Sequence, residues 1–249
     1  MNDAGVAGRY ALSGSAVLPS YNPLGGPKGK GHVTFDRTKS QFLDAGQRAL
    51  NIASNGGLTI VAVARFTGTS LGNWERIIDL TSGGPDGEHA SNILLGRFGA
   101  ESALCLEIWN GTEKVVGQHC GGIVQDTWMT VAARYRASTR EYVVKVNTAD
   151  YAGIALEGLT DRTSSSTFIG KSQWSSDSYS TGDVAGVFVV DEYLSDAAVS
   201  AVIAAIEDGE DADVAFRAHR NAKVFLDMHA YIHTHGYLSL HLSPHPLNL

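Results

Sequence analysis

The chain has 249 residues, of which 43% are hydrophobic and 18% charged, and its formal net charge is −7 at neutral pH. That length and apolar share suit one large β domain and argue against long-range disorder. The acidic balance argues against a nucleic-acid face, which needs dense positive charge, and no run reaches the ~18 apolar residues of a membrane span.

Residues 1–31 are rich in Gly, Ser and Pro and end in Gly25-Gly26-Pro27-Lys28-Gly29-Lys30-Gly31. They predict one early strand around Tyr10 to Leu18, with Lys28 and Lys30 in a solvated loop. Met1-Asn2-Asp3-Ala4-Gly5 lacks the basic start and apolar core of a secretory signal. The chain then reads either as intracellular or as a domain of a longer secreted protein.

From residue 32 to 193 the pattern is a succession of strands. The segments are Val33 to Phe35, Leu58 to Phe66, Arg76 to Leu80, Asn92 to Arg97, Ala103 to Trp109, Lys114 to Gln118, Trp128 to Tyr135, Arg140 to Val146, Thr167 to Gly170 and Asp183 to Val190. Each is rich in β-branched and aromatic residues, and Gly, Asn or Asp clusters punctuate them at a spacing typical of a sandwich or barrel. Leu58 to Ala64 is apolar on both parities, which predicts a central strand buried on both faces.

Asn110-Gly111 signals a type I′ hairpin turn between Cys105 and Cys120. A regular two-residue turn there sets Cys105 opposite Val116. Cys120 then falls roughly 13 Å further along, beyond disulfide reach unless a bulge intervenes. The same turn sets Glu107 opposite Lys114 as a cross-strand ion pair. Asn110-Gly111-Thr112 is also a glycosylation sequon, usable in a protein secreted by a eukaryote.

Residues 195 to 207 switch to helical spacing. Ser195 is placed to cap the first turn, Ala198, Val199, Val202, Ile203 and Ile206 form one stripe, and Gly209 stands just past the end. The expected position is an edge or end of the sandwich. Residues 211–249 hold six of the nine histidines (His219, His229, His233, His235, His241, His245) and read as an atypical extension. His229, His233 and His235 have partial zinc-ligand spacing without the glutamate of an H-E-x-x-H site, so they predict no metal centre.

Taken in order, several of these pieces resemble laminin G-like domains of the concanavalin A-like lectin-glucanase jelly-roll group. Val33-Thr34-Phe35-Asp36 is similar to an early "L-x-F-D-G" strand, with Arg37 for the glycine. Leu58 to Ala64 resembles "F-T-I-S-x-W-V", and Asp126 to Tyr135 resembles "W-H-H-V-A-V-T-Y". Glu141 to Val146 fits "L-Y-V-D-G". Phe168-Ile169-Gly170, Gly182-Asp183-Val184 and Leu194-Ser195-Asp196 match the closing "I-G", "G-x-I" and "L-S-D/E" elements. The resemblance implies an all-β, antiparallel jelly-roll β-sandwich over residues 32–210, partly joined by 1–31, with one short C-terminal helix. It further implies a non-catalytic recognition domain that binds carbohydrate or an extracellular protein, at the cell surface or outside the cell, as part of a longer chain.

Family members often carry an acidic pair where this chain has Ala185-Gly186. Calcium takes about six to eight oxygen ligands, so only Asp79 and Asp183 keep a calcium site open, and each reads first as a turn or strand-end residue. No E-x-D-x-x-E motif is present, and retaining glycan hydrolysis needs carboxyl groups about 5–5.5 Å apart. Hydrolase or lyase activity is therefore the weakest alternative, behind a protein–protein interaction module without sugar affinity.

The candidate ligand residues are Trp174, with Gln173, Asp177 and Tyr179 on one polar loop, and Trp74 on another. Indole faces stack on sugar rings while amides and carboxylates read their hydroxyls. Trp128, inside a predicted strand, is expected in the core.

Overall fold

Apolar and β-branched runs, broken by Gly, Asn and Asp, make strands the main regular structure of the chain. The computed structural model describes residues 9–11, 13–68, 71–82, 91–210 and 239–241. The strands in chain order are β1 (Arg9–Ala11), β2 (Ser13–Gly14), β3 (Ser20–Asn22), β4 (His32–Phe35), β5 (Leu43–Asp44), β6 (Arg48–Leu50), β7 (Gly57–Phe66), β8 (Arg76–Thr81) and β9 (Ile93–Arg97). They continue with β10 (Leu104–Asn110), β11 (Glu113–Cys120), β12 (Met129–Arg136), β13 (Glu141–Val146), β14 (Ala149–Ile154), β15 (Arg162–Ser164), β16 (Ser166–Ile169) and β17 (Gly182–Val190). Helix α1 (Asp196–Asp208) and β18 (Ser239–His241) complete the order.

Two seven-stranded antiparallel sheets form a jelly-roll sandwich. The first runs β11-β10-β9-β8-β16-β5-β2 and the second β14-β13-β12-β7-β17-β4-β3. Their inner faces meet in one core. Ile78, Leu80, Ile93, Leu95, Leu104, Leu106 and Ile169 of the first sheet pack on Leu58, Ile60, Val131, Ala133, Val187 and Val189 of the second. Gly170, at the end of β16, has φ +79°, and a Cβ there would stand 2.6 Å from a ring carbon of Phe35. The glycine of the "I-G" pair thus allows the chain to leave the first sheet against a core ring.

The ten predicted strands are all present. The early segment divides differently, into β1 and β2, with β3 lying beyond the expected Leu18. The histidine-rich tail lies outside the described residues except for β18, which pairs antiparallel with β1.

Helix α1 does not sit at an edge. It covers the outer face of the second sheet, where Val61, Val63, Ala132, Ala185, Phe188 and Val190 pack on Ala198, Val199, Val202, Ala205 and Ile206. This position explains why β7 is apolar on both parities, since one side faces the sandwich core and the other the helix. Burying each valine, isoleucine and phenylalanine among them contributes about 1.5–3 kcal/mol, and each alanine less. Ser195 accepts the Ala198 N–H through its hydroxyl, and Gly209 closes the helix at φ +64°. Lys28 is exposed in its loop, as expected, and it also has partners on the helix. Its ammonium lies 2.9 Å from Asp208 and 3.6 Å from Glu207, offsetting the acidic helix end.

The Ala185-Gly186 pair belongs to this helix seat. β17 bulges between Val184 and Gly186, and a Cβ on Gly186 would stand 2.8 Å from Cγ2 of Ile206. Small residues are required there for the helix to approach, and carboxylates would fill its place.

The β10–β11 hairpin corrects the expected register. Asn110 pairs with Glu113, so Gly111-Thr112 form the turn, and a bulge falls between Ile108 and Trp109. Cys105 therefore faces His119 rather than Val116, and Leu104 faces Cys120. The cysteines sit on adjacent pairs with side chains on opposite faces of the sheet, which keeps them apart although they are near neighbours. Both are free and buried. Lys114 lies opposite Trp109, not Glu107, yet it reaches back to place its ammonium 2.9 Å from the Glu107 carboxylate. Burial pushes both thiols up to about 12. Neither thiol is therefore expected to react with a disulfide reagent at pH 8 in the folded protein, and both should react in guanidinium. Fast reaction of one thiol without denaturant would show that this edge of the first sheet opens.

Candidate functional site

Three connections meet at one rim of the sandwich: the segment 71–75 leading into β8, the β9–β10 turn (98–103) and the crossing from β16 to β17 (170–181). Strand register brings them together, because Arg76 pairs with Gly96, Leu104 with Arg97 and Cys120, and Ile169 with Ile78. The rim is cross-fastened. Trp74 N donates to Gly99 O at 2.8 Å, Ser178 N to Asn73 O at 2.8 Å, and Asn73 N to the Ser178 hydroxyl at 3.0 Å.

Arg76 is the hub of this rim, and only 2% of it is exposed. Its Nη2 lies 2.6 Å from Asp177, its Nη1 donates to the Trp74 carbonyl at 2.7 Å, and its Nε lies 3.5 Å from Asp79. The guanidinium carbon is 5.5 Å from the Trp74 ring centroid and 5.7 Å from that of Trp174, within cation–π range of both. Beyond Trp74 the row continues, with Phe98 edge-on at 4.9 Å and His119 stacked on Phe98 at 3.6 Å. Trp74, Phe98 and Trp174 are half-buried and His119 is exposed. Trp74 holds a left-handed backbone (φ 57°), which costs on the order of 1–2 kcal/mol and is offset by hydrogen bonds at both its N–H and its carbonyl.

Beneath the rings lies a polar layer closed to solvent. Asp79 is fully buried, and burial pushes its carboxyl up to about 6 against the pull of Arg76. The Gln173 backbone N–H donates to it at 3.2 Å, while the Gln173 side-chain oxygen accepts from the Thr81 hydroxyl. Burial also raises Asp177, with Arg76 and the Ser172 hydroxyl (2.8 Å) acting in the opposite sense. Deeper still, Glu75 ties the rim to the sheet. Its carboxylate lies 2.9 Å from Arg97 Nε and 3.4 Å from Arg37, and it accepts the N–H groups of Thr181 (2.8 Å) and Gly72 (3.2 Å).

Of the five residues singled out from sequence, the structure gathers Trp174, Trp74 and Asp177 around Arg76. Gln173 is turned inward and 8% exposed, so it supports the loop and does not face solvent. Tyr179 points elsewhere. It packs on Phe42 at 6.1 Å, in a separate aromatic group with Phe168 and Lys171. Sequence reading missed Arg76, Phe98 and His119. The available signal for Arg76 was its spacing from Asp79 within the apolar run Arg76-Ile77-Ile78-Asp79-Leu80, since two charges in a buried strand must find partners. Phe98 and His119 carried no such signal, because nothing local shows that they stack.

Trp128 is not a sandwich core residue. It lies half-buried on the outer face of the second sheet, edge-on to His32 at 5.6 Å with the Arg65 guanidinium 4.8 Å from its ring. Asp183 sits beside it, accepting from Arg65 Nε at 2.5 Å and the Thr34 hydroxyl at 2.6 Å. Asp79 and Asp183 thus belong to opposite sheets, each facing an arginine. Among the described residues no group of three or more His, Cys, Asp or Glu side chains is placed to hold a metal ion.

The sequon asparagine is tied down, its amide accepting from Arg162 at 2.5 Å and donating to Glu157 at 2.5 Å. A groove of about 250 Å³ lies between α1 and the outer face of β12 and β13. Its lining carries no aromatic ring.

No family model matches the chain, and no curated protein matches it. Solved structures do. Tailspike protein 2 of Escherichia coli O157:H7 bacteriophage CAB120 superposes with a TM-score of 0.53 at 12% identity over 83% of this chain. The match spans only 29% of that tailspike. The CBM40 module of the Ruminococcus gnavus IT-sialidase, solved with α2,3 sialyllactose, gives 0.51 at 13% identity, covering 69% of this chain and 95% of the module. Domain 4 of AbnA, a GH43 extracellular arabinanase from Geobacillus stearothermophilus, solved with arabinotriose, gives 0.53 at 10% identity over 76% of this chain and 85% of that domain. At these identities the likeness is one of fold.

Proposed function

We propose that this sandwich is a carbohydrate-recognition domain whose site is the aromatic rim around Arg76. The observation that carries the reading is the pair of tryptophans, Trp74 and Trp174, in contact with one buried arginine that also holds the Asp177 carboxylate. Indole faces held by a rigid polar base suit the apolar faces of sugar rings, and a partly exposed carboxylate suits their hydroxyls. Two domains that share the fold are solved with bound saccharides, which supports the same reading.

Recognition fits this rim better than hydrolysis does. Asp79 is sealed from solvent and Asp177 is engaged by Arg76 at 2.6 Å, so neither is presented as a nucleophile or acid opposite the other.

A glycan array probed with the protein and with Trp174→Ala tests the proposal. The expected result is a defined set of saccharides bound by the parent and weakened about tenfold or more, roughly 1.4 kcal/mol, in the variant. A blank array from a protein with native near-UV circular dichroism would sink the sugar reading. Protein–protein recognition would then lead, with the exposed Ile154 and Leu156 as the first surface to test.

A further inference from the structure

The aromatic row is longer than one sugar needs. From Trp174 it passes the Arg76 guanidinium (5.7 Å), Trp74 (5.5 Å), Phe98 (4.9 Å) and His119 (3.6 Å), each step measured to the next ring. It crosses the strands from the β16–β17 connection to β11. The row therefore continues away from the Trp74–Trp174 pair along the rim, instead of closing into a pocket around a single ring.

Its electrostatics are equally specific. Among the described residues, Arg76 is the cation in contact with these rings, and all three guanidinium nitrogens already face protein oxygens of Asp177, Trp74 and Asp79. A carboxylated sugar binds through open, paired donors of an arginine. Here the guanidinium is 2% exposed and turned onto the protein, with Asp177 balancing its charge at 2.6 Å.

Building on the proposed sugar site, we infer that its ligand is a neutral, linear oligosaccharide laid along the row, not a terminal or acidic sugar. Trp74 and Trp174 hold the central residues, and Phe98 with His119 extend the contact to the next ones.

Titration calorimetry of the full chain tests this. The probes are neutral glucan, xylan, mannan and arabinan oligosaccharides as mono-, di-, tetra- and hexasaccharides, with hexagalacturonate and sialyllactose as acidic arms. Affinity for the preferred neutral series should rise about tenfold or more from disaccharide to hexasaccharide, and the acidic probes should not bind. Phe98→Ala should remove most of that gain, so that the disaccharide and hexasaccharide affinities of the variant converge, with thermal unfolding confirming a folded variant. Two results would overturn the inference while leaving the sugar site standing: equal affinity for disaccharide and hexasaccharide, or tighter binding of an acidic probe, with Trp174→Ala abolishing binding in either case. Binding to no probe at all would remove both readings together.

Discussion

Glu75→Ala is expected to destabilise the protein by about 3–5 kcal/mol, the cost of leaving a buried charge without its partner. Glu75 and Arg97 are each 1% exposed and their charged groups lie 2.9 Å apart. Removing the carboxylate strands the Arg97 guanidinium in the interior, where its remaining hydrogen bond is to the Glu101 carbonyl at 3.0 Å and its other neighbour is the Phe66 ring at 4.5 Å. It also orphans the N–H groups of Gly72 and Thr181, so both rim loops lose an anchor. Urea unfolding midpoints for the parent, Glu75→Ala and Glu75→Leu combined with Arg97→Met separate these effects. The double variant should recover the share due to the stranded charge, because a matched apolar pair removes the ion as well as its partner. It should not recover the share due to the two amides. A single-variant loss below about 1 kcal/mol, the size of an exposed pair, would mean that water reaches this site.

The second large effect depends on pH. Asp79 is expected to lower stability as pH rises, the reverse of the usual paired carboxylate. Its ordinary value of 3.8 moves to about 6 because burial disfavours the charged form more than Arg76 favours it. Below the ordinary value both folded and unfolded chains hold the proton, and folding is unaffected. Between the two values the unfolded chain has released the proton while the folded chain keeps it, so stability falls. Above about 6 the full difference is present, on the order of 3 kcal/mol at about 1.4 kcal/mol for each unit. His32 acts in the opposite sense, because burial lowers its value from 6.5, so its contribution is lost as pH falls through that region. Comparison with Asp79→Asn isolates the aspartate. Between pH 4 and pH 7.5 the parent should lose about 2 kcal/mol relative to that variant in paired urea melts. Parallel curves would show that Asp79 is hydrated or fully compensated by Arg76.

Both effects rest on buried charges that support the rim and fasten its loops. Trp74 is held at a positive φ, and Trp174 sits on a loop fastened to Asp79, Arg76 and Asn73. Rings fixed in this way lose little freedom when a ligand stacks on them.

What the sequence determined is what depends on local pattern. Strand periodicity, the glycine at the end of β16, the Ser195 cap and the Gly209 stop each act over a few residues, and together they specified the sandwich and its helix. That Trp174, Asp177 and Trp74 lie on loops was also legible, because aromatic and polar residues on turn-rich segments stand out from a strand pattern. Tertiary structure decided the rest. α1 found the outer face of the second sheet because Ala185 and Gly186 leave room there and β7 offers a second apolar side, a fit between surfaces far apart in sequence. The hairpin register moved because the turn formed at Gly111-Thr112, one residue past the Asn-Gly signal, and a bulge at Ile108–Trp109 shifted the pairing by one residue more. Arg76 became the centre of the site, with Phe98 and His119 extending it, because strand register and loop crossings converge at that rim. A charge buried in a strand takes its meaning from partners that only the fold supplies.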